Sequence, residues 1–298
     1  MKIGIMLLSG GSPAEIGAQV ADAERRGFSS AWLANIRGVD ALTALAVAGA
    51  QTERIELGTF IVPTFPRHPT AMAQQALTVQ AATGNRLALG IGLSHRVSME
   101  QGLGFDWSHP IRHTREYLAT LIPLLAQELV SFEGEEYTVR GFQLAIPGAT
   151  PPPVLVAALG PQMLRLTGAM ADGTAIWLGG ARYIAETATP TIREAAARAG
   201  RPEPRVVAGL PICVTDNAGK VRDKMAQAFS RYGELPSYRA ILDREGAAGP
   251  ADVAIVGDEA EVRAGLADLA AAGVTDFAAS LFVPRGEDIE RTMAALLG

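Results

Sequence analysis

The sequence predicts a (β/α)8 TIM barrel with an insertion after strand four. Three observations carry that expectation. Apolar, β-branched runs alternate with longer helical patterns along most of the chain, giving about eight strands, nearly all followed by a helix. The runs lack apolar–polar alternation, as parallel strands covered on both faces do. The 298 residues suit eight such units in a single domain, 1–298. A doubly wound open sheet is the competing architecture, but "LLSGGSPAE" after the first strand lacks the GxGxxG spacing.

The elements follow in order. Lys2–Leu8 reads as the first strand. Pro13–Arg26 reads as the first helix, with Ser12 as N-cap, Pro13 at its first position and Gly27 as its stop. Strand Ser30–Ala34, helix Asp40–Thr52, strand Ile55–Val62 and helix Pro69–Thr83 make the next two units. "RLALGIG", Arg86–Gly92, is strand four. The rhythm then breaks. Residues 95–150 hold a helix around Ile111–Ala126 and two short strands about a Glu133-Gly134 turn, an excursion expected to cover the barrel mouth. Alternation resumes with strand five, Val154–Ala158, a helix from Gln162, then strand Thr174–Trp177 and a helix near Tyr183–Ala199. Val206–Val214 is a further strand, 218–272 reads as mostly helical, "TDFAASLFV" supplies the last strand, and Asp288–Leu297 is a closing helix.

The net charge of −5 argues against a nucleic-acid or anionic-membrane partner. No apolar segment approaches the roughly 18 residues needed to span a bilayer. The apolar run at the N-terminus ends too soon for a signal peptide. The single cysteine, Cys213, lies in the apolar run "GLPICV" and reads as a buried thiol in a reducing, cytoplasmic setting. Two helical stretches, "ALTALAVAGAQ" and "PTAMAQQALTVQAATGN", contain no charged residue. The outer helices of a barrel normally carry a charged solvent face. Helices 40–52 and 69–83 are therefore expected to form a homodimer interface, with burial beneath the 95–150 insertion as the alternative.

In such a barrel the chemistry sits at the C-terminal ends of the strands. Those ends offer Asn35, Ile36 and Arg37 after strand two, Arg67 and His68 after strand three, and Ser94, His95 and Arg96 after strand four. "LGPQM" follows strand five and "WLGG" strand six. There are few carboxylates, no G-x-S-x-G elbow, and too few His, Asp or Glu for a hydrolytic metal centre, so no metal site is expected. Such a lining suits an organic cofactor that carries its own reactivity. In "LGPQM", Pro161 donates no N–H, the amides of Gln162 and Met163 stay free, and Gly160 admits a ligand. The stretch reads either as a helix tip that holds a phosphate or as plain turn punctuation.

Several of these segments resemble a known family. "ELGTFIVPTFPRHPTAMAQQALTVQAATGNRLALGIGLSH" is similar to the third and fourth βα units of the bacterial luciferase-like oxidoreductases. "PVLVAALGPQMLRLTGAMADGTAIW" resembles that superfamily's phosphate-binding segment, and "VGDEAEVRAGLADLAAAGVTDF" its C-terminal part. "GLSHRVSMEQGLG" resembles the branch that uses the deazaflavin coenzyme F420 and not FMN. The resemblance implies a usually dimeric TIM barrel that holds a phosphorylated flavin or deazaflavin tail on Gly160, Pro161, Gln162 and Met163. It implies a non-prolyl cis peptide at Phe60–Ile61, against which the tricyclic ring leans, with Thr59, Ser94, Arg96 and Trp177 as further candidate cofactor contacts.

The family's sugar-phosphate dehydrogenases end strand two with an acidic residue and a catalytic histidine, where this chain has Asn35 and Ile36. That departure favours a reductase, passing a hydride from reduced F420 to a C=C, C=N or C=O bond, with Asn35 and His95 as the candidate catalytic residues. His95, or water, is the candidate proton donor. His68 is expected to order its loop, and His109 and His113 to be solvated or lid residues. Arg165 is expected either to meet the coenzyme's tail or to be plain surface, and Trp32 to be a core aromatic. Substrate residues are expected in 95–150 and around 230–250. An FMN-dependent luciferase-like monooxygenase and a non-catalytic deazaflavin-binding protein are the alternatives.

Overall fold

The structure, a computed structural model, describes residues 1–7 and 10–298; Leu8, the expected end of the first strand, lies outside the described residues. Eight parallel strands close into a barrel. They are β1 (Lys2–Leu7), β2 (Ser30–Leu33), β3 (Glu56–Thr59), β4 (Leu87–Gly92), β5 (Val154–Ala157), β6 (Gly173–Trp177), β7 (Arg205–Val214) and β8 (Asp276–Leu281). Each pairs with its chain neighbour, and β8 returns to β1. This is the expected TIM barrel. Helix α1 (Pro13–Arg26) opens on a reciprocal Ser12–Glu15 cap and stops at Gly27, whose φ of 100° only glycine adopts without penalty. Helices α2 (Ala41–Gly49), α3 (Pro69–Ala82), α4 (Pro110–Leu125), α5 (Pro161–Met170) and α6 (Thr189–Arg198) follow on the outside. No helix among the described residues is long and apolar enough to cross a membrane.

The N-terminal end of the barrel is tied by arginines. Arg205, the first residue of β7, bridges Glu56 at 2.7 Å and Asp276 at 2.8 Å, which begin β3 and β8. Arg86 donates to the carbonyls of Gly49, Thr52, Ile55 and Thr83. Inside the barrel Trp32 is fully buried, its Nε1 donating to Ser30 Oγ at 2.8 Å. Its ring fills the space that Gly58 leaves, since a Cβ there would lie 2.0 Å from Trp32 Cε3. Cys213 is buried as expected, and burial pushes its thiol up to about 11.

β3 breaks after Thr59. The Phe60–Ile61 peptide is cis, and the chain rejoins β4 through Val62–Pro63. The Thr59 hydroxyl spans the break: it donates to the Gly90 carbonyl at 2.7 Å and accepts from the Gly90 amide at 2.8 Å. Gly90 permits this approach, because a Cβ there would lie 2.0 Å from the Thr59 carbonyl oxygen.

The 95–150 region holds the helix expected around Ile111–Ala126. Its helix, α4, packs on α3 and α5 and so takes the place of the barrel's fourth helix. The hairpin Val130–Glu133/Thr138–Phe142 lies against α4. Its bend runs over 134–137 instead of Glu133-Gly134, because the Glu116 carboxylate gathers the amides of Glu135, Glu136 and Tyr137 at 2.8–3.1 Å. Residues 218–272 hold α7 (Ala218–Ala228) and α8 (Pro236–Glu245), but also a strand missed in the sequence, Ile255–Gly257, which extends the sheet beside β7. Three residues are too few to show a period of two.

Candidate active site

Four strands deliver one apolar floor at the C-terminal end of the barrel. Met6 comes from β1, Phe60 and Ile61 from the break after β3, and Trp177 from the end of β6; all pack on the barrel interior. Gly209 of β7 lets three of them meet, since a Cβ there would lie 2.9 Å from Met6 Cε, 3.0 Å from Trp177 Cε3 and 3.1 Å from Phe60 Cζ. The chain leaves β4 and β6 through Ser94 and Leu178, both non-glycine residues in left-handed conformations, at φ 63° and 57°. Such backbone strain concentrates at functional sites.

An aromatic group stands beside this floor. The His95 ring meets Tyr232 edge-on at 5.8 Å and Tyr238 at 5.9 Å. Trp177 meets Phe229 at 6.0 Å and Tyr232 at 6.3 Å, and Tyr232 meets Tyr238 at 5.0 Å. Burial lowers the His95 pKa, so the ring is neutral near pH 7, and burial raises both phenols. The Trp177 Nε1 donor is buried with no hydrogen-bond partner. Phe229, Tyr232 and Tyr238 were not singled out one by one in the sequence, but the two tyrosines fall in the 230–250 stretch expected, together with 95–150, to hold substrate residues. The available signal was compositional: two of the five tyrosines fall within seven residues.

The neighbouring strand ends carry two glycine-led helix tips of contrasting kinds. Gly160 begins α5 with no side-chain cap, and Pro161 follows it. Leu164 N reaches the Gly160 carbonyl at 3.0 Å, while the Gln162 and Met163 amides have no protein acceptor among the described residues. A Cβ at Gly160 would touch nothing within 4 Å. At the second tip, Gly180 leads Ala181–Tyr183 towards α6, and a distant carboxylate fills it: Glu245 accepts from the amides of Arg182 at 3.2 Å and Tyr183 at 2.7 Å. Tyr183 Oη donates to the Leu159 carbonyl at 2.6 Å, joining the two loops. The bare tip suits a phosphate in charge and in donor geometry; the second already holds its anion.

The other candidates separate. The Thr59 hydroxyl is consumed by Gly90 and is fully buried. Asn35 donates its backbone N–H to the Ile61 carbonyl at 3.3 Å and accepts the Ala41 amide on its side-chain Oδ1 at 2.9 Å, so it both lies beside the cis peptide and caps the start of α2. Arg96 is 67% exposed and paired with Glu100 at 2.8 Å. Arg165 is exposed in a groove with Glu194 and Arg198, on the flank of α5 and away from its tip. His68 Nδ1 accepts from Thr70 N at 3.3 Å at the start of α3, which orders its loop as expected. His109 is exposed at the start of α4. Of the two readings for His113, solvated or lid, the structure corrects the first: it is 4% exposed, stacked 4.0 Å from Phe65, with Nε2 at 2.9 Å from Thr64 Oγ1. Burial pushes it down to about 4.

The chain is similar to known proteins. An uncharacterized protein of Mycobacterium tuberculosis is 33% identical over 263 residues, covering 80% of this chain and 75% of that one. The 5,10-methylenetetrahydromethanopterin reductase of Methanolobus tindarius is 27% identical over 226 residues, covering 75% and 68%. The structure of the coenzyme F420 dependent tetrahydromethanopterin reductase of Methanopyrus kandleri superposes with a TM-score of 0.84 at 23% identity, over 99% of this chain and 97% of that one. The sequence pattern of the luciferase-like monooxygenases matches residues 1–276, from β1 to the first residue of β8, and so the chain belongs to the luciferase-like monooxygenase family.

Proposed function

We propose that the protein is an F420-dependent oxidoreductase that works as a reductase on a C=C, C=N or C=O bond of a small organic substrate. The observation that carries this reading is the uncapped tip of α5 beside a second tip already filled by Glu245. The Gly160, Gln162 and Met163 backbone would hold the phosphodiester of the coenzyme's tail, favoured by the helix dipole, with Pro161 fixing the first turn. Phe60, Ile61 and Met6 would floor its ring, with Ser94 at the rim. Reduced F420, when bound, would supply the hydride, and water would supply the matching proton. His95, neutral through burial, would orient the acceptor atom by hydrogen bonding. An F420-dependent glucose-6-phosphate dehydrogenase of Beutenbergia cavernae, 31% identical over 204 residues, supports F420 over FMN.

Titrating the purified protein with F420 and separately with FMN, followed by coenzyme fluorescence, tests the reading. F420 binding at micromolar concentration or tighter, and turnover with an enone, imine or ketone, is expected. FMN binding without F420 binding overturns it in favour of a monooxygenase; tight F420 binding with no turnover makes the protein a carrier.

The same reading includes a homodimer through 40–52 and 69–83. An uncharged groove between α2 and α3, lined by Thr43, Ala46, Ala71, Gln74 and Thr78, supports it. A monomer at micromolar concentration in sedimentation overturns the dimer. The reading also takes a cytoplasmic setting, on the strength of the single buried thiol.

A further inference from the structure

The aromatic group at the strand ends bears on the substrate, an inference that rests on the oxidoreductase reading of this site. His95, Trp177, Phe229, Tyr232 and Tyr238 form a connected set of ring contacts of 5.0–6.3 Å. Rings at these separations bury large apolar area and prefer another flat or bulky apolar body as neighbour. Arg231 and Glu234, on the short helix of Tyr232, are exposed to solvent, and other nearby charges are engaged elsewhere. Arg96 pairs with Glu100, Arg182 pairs with Glu186 at 3.3 Å, and Glu245 is spent on backbone amides. His95 is shifted by burial alone, and Tyr238 by burial and the neighbouring phenol; Tyr232 is raised by burial against the lowering pull of the nearby Trp177 N–H, whose approach falls short of hydrogen-bond geometry, and no ionised side chain acts on any of the three. An anionic substrate would lose its hydration here and gain no counter-charge. Within this neutral surround one buried donor, Trp177 Nε1, lacks an acceptor. An indole N–H can only donate, and a buried donor left unpaired is destabilising. The group that completes it must bring an acceptor atom.

We infer that the site selects an uncharged acceptor with an aromatic or alicyclic body, an enone or ketone in class, whose carbonyl oxygen receives the Trp177 N–H while its body packs on Phe229, Tyr232 and Tyr238. Tyr232 and Trp177 are then the specificity-determining residues.

Isothermal titration of the coenzyme-loaded protein with three probes tests this. The probes are benzylideneacetone, its hydrocarbon counterpart β-methylstyrene, and cinnamate. The enone is expected to bind about tenfold tighter than the hydrocarbon, one buried hydrogen bond's worth, and at least about tenfold tighter than the carboxylate. Trp177→Phe keeps a ring and removes the N–H; the enone's advantage over the hydrocarbon should vanish while hydrocarbon and coenzyme affinities hold. Tyr232→Ala should weaken enone and hydrocarbon alike. The inference is overturned if cinnamate binds as well as the enone, if no probe binds, or if Trp177→Phe leaves the enone's advantage intact. A loss of coenzyme affinity in Trp177→Phe also overturns it, because the N–H would then belong to the coenzyme. If F420 itself fails to bind while the coenzyme-free protein keeps the probe order, the coenzyme assignment falls and the inference stands.

Discussion

The two ends of the barrel treat polar groups in opposite ways. At the N-terminal end the partly buried charges are matched: Arg205 lies between Glu56 and Asp276, Arg86 donates to four carbonyls, and Glu24 accepts the amides of Glu53, Arg54 and Ile55. At the C-terminal end the Trp177 N–H is buried without a partner, the α5 tip is uncapped, and Ser94 and Leu178 hold left-handed backbone. A closed, satisfied end tolerates an open, unsatisfied one. Substitutions at the first should therefore reduce stability and leave chemistry alone, and those at the second should do the reverse.

The largest effect is expected at the closed end. Arg205→Met leaves Asp276, whose side chain is 3% exposed, as an uncompensated buried charge. Breaking such a network costs on the order of 3–5 kcal/mol. Urea unfolding should show that loss in the midpoint, with coenzyme affinity of the folded fraction unchanged. An unfolding midpoint within error of the parent would remove the contrast between the two ends.

The next effect is a pH dependence at the open end, and it marks an exception there. His113 is stacked on Phe65 and bonded to Thr64, and its folded pKa is lowered to about 4 from an ordinary 6.5. Between those values the unfolded chain binds a proton that the folded chain excludes. Stability is thus complete above pH 6.5 and falls as the pH drops towards 4, by up to about 3 kcal/mol. In His113→Gln the unfolding free energy should fall less steeply across that window than in the parent. Parallel slopes would show that His113 does not carry it.

How much of this was legible follows from the same contrast. The barrel strands, buried on both faces, leave solid apolar runs, and all eight were readable. The bare tip was legible because "LGPQM" is local. The mouth is tertiary. Glu245 caps an amide 63 residues away in the chain, and nothing near Gly180 announces it. Phe229–Tyr238 spans two short helices separated at Leu235–Pro236, so no period marks which rings point inward. The cis peptide came only through family resemblance. His113 was readable and misread: His113, Tyr117, Leu121 and Leu124 follow the spacing of a buried helix face, all at or below 4% exposure.

The smallest stability change should carry one of the largest functional ones. Gly160 has an extended N-cap conformation, φ −88° and ψ 151°, and open space where a Cβ would go. Gly160→Asp fits that position as an ordinary capping residue. The new carboxylate accepts from the first-turn amides and adds a few tenths of a kcal/mol of stability. It also occupies the donors assigned to the phosphodiester with a like charge, as Glu245 already does at the neighbouring tip. Coenzyme affinity should drop at least about a hundredfold, since hydrogen bonds to a charged group and the repulsion both count. Gly160→Ala adds the methylene without the charge and should keep most of the binding. A Gly160→Asp protein that is slightly more stable and no longer binds F420 would separate the two ends most cleanly; one that binds F420 as the parent does would move the phosphate away from this tip.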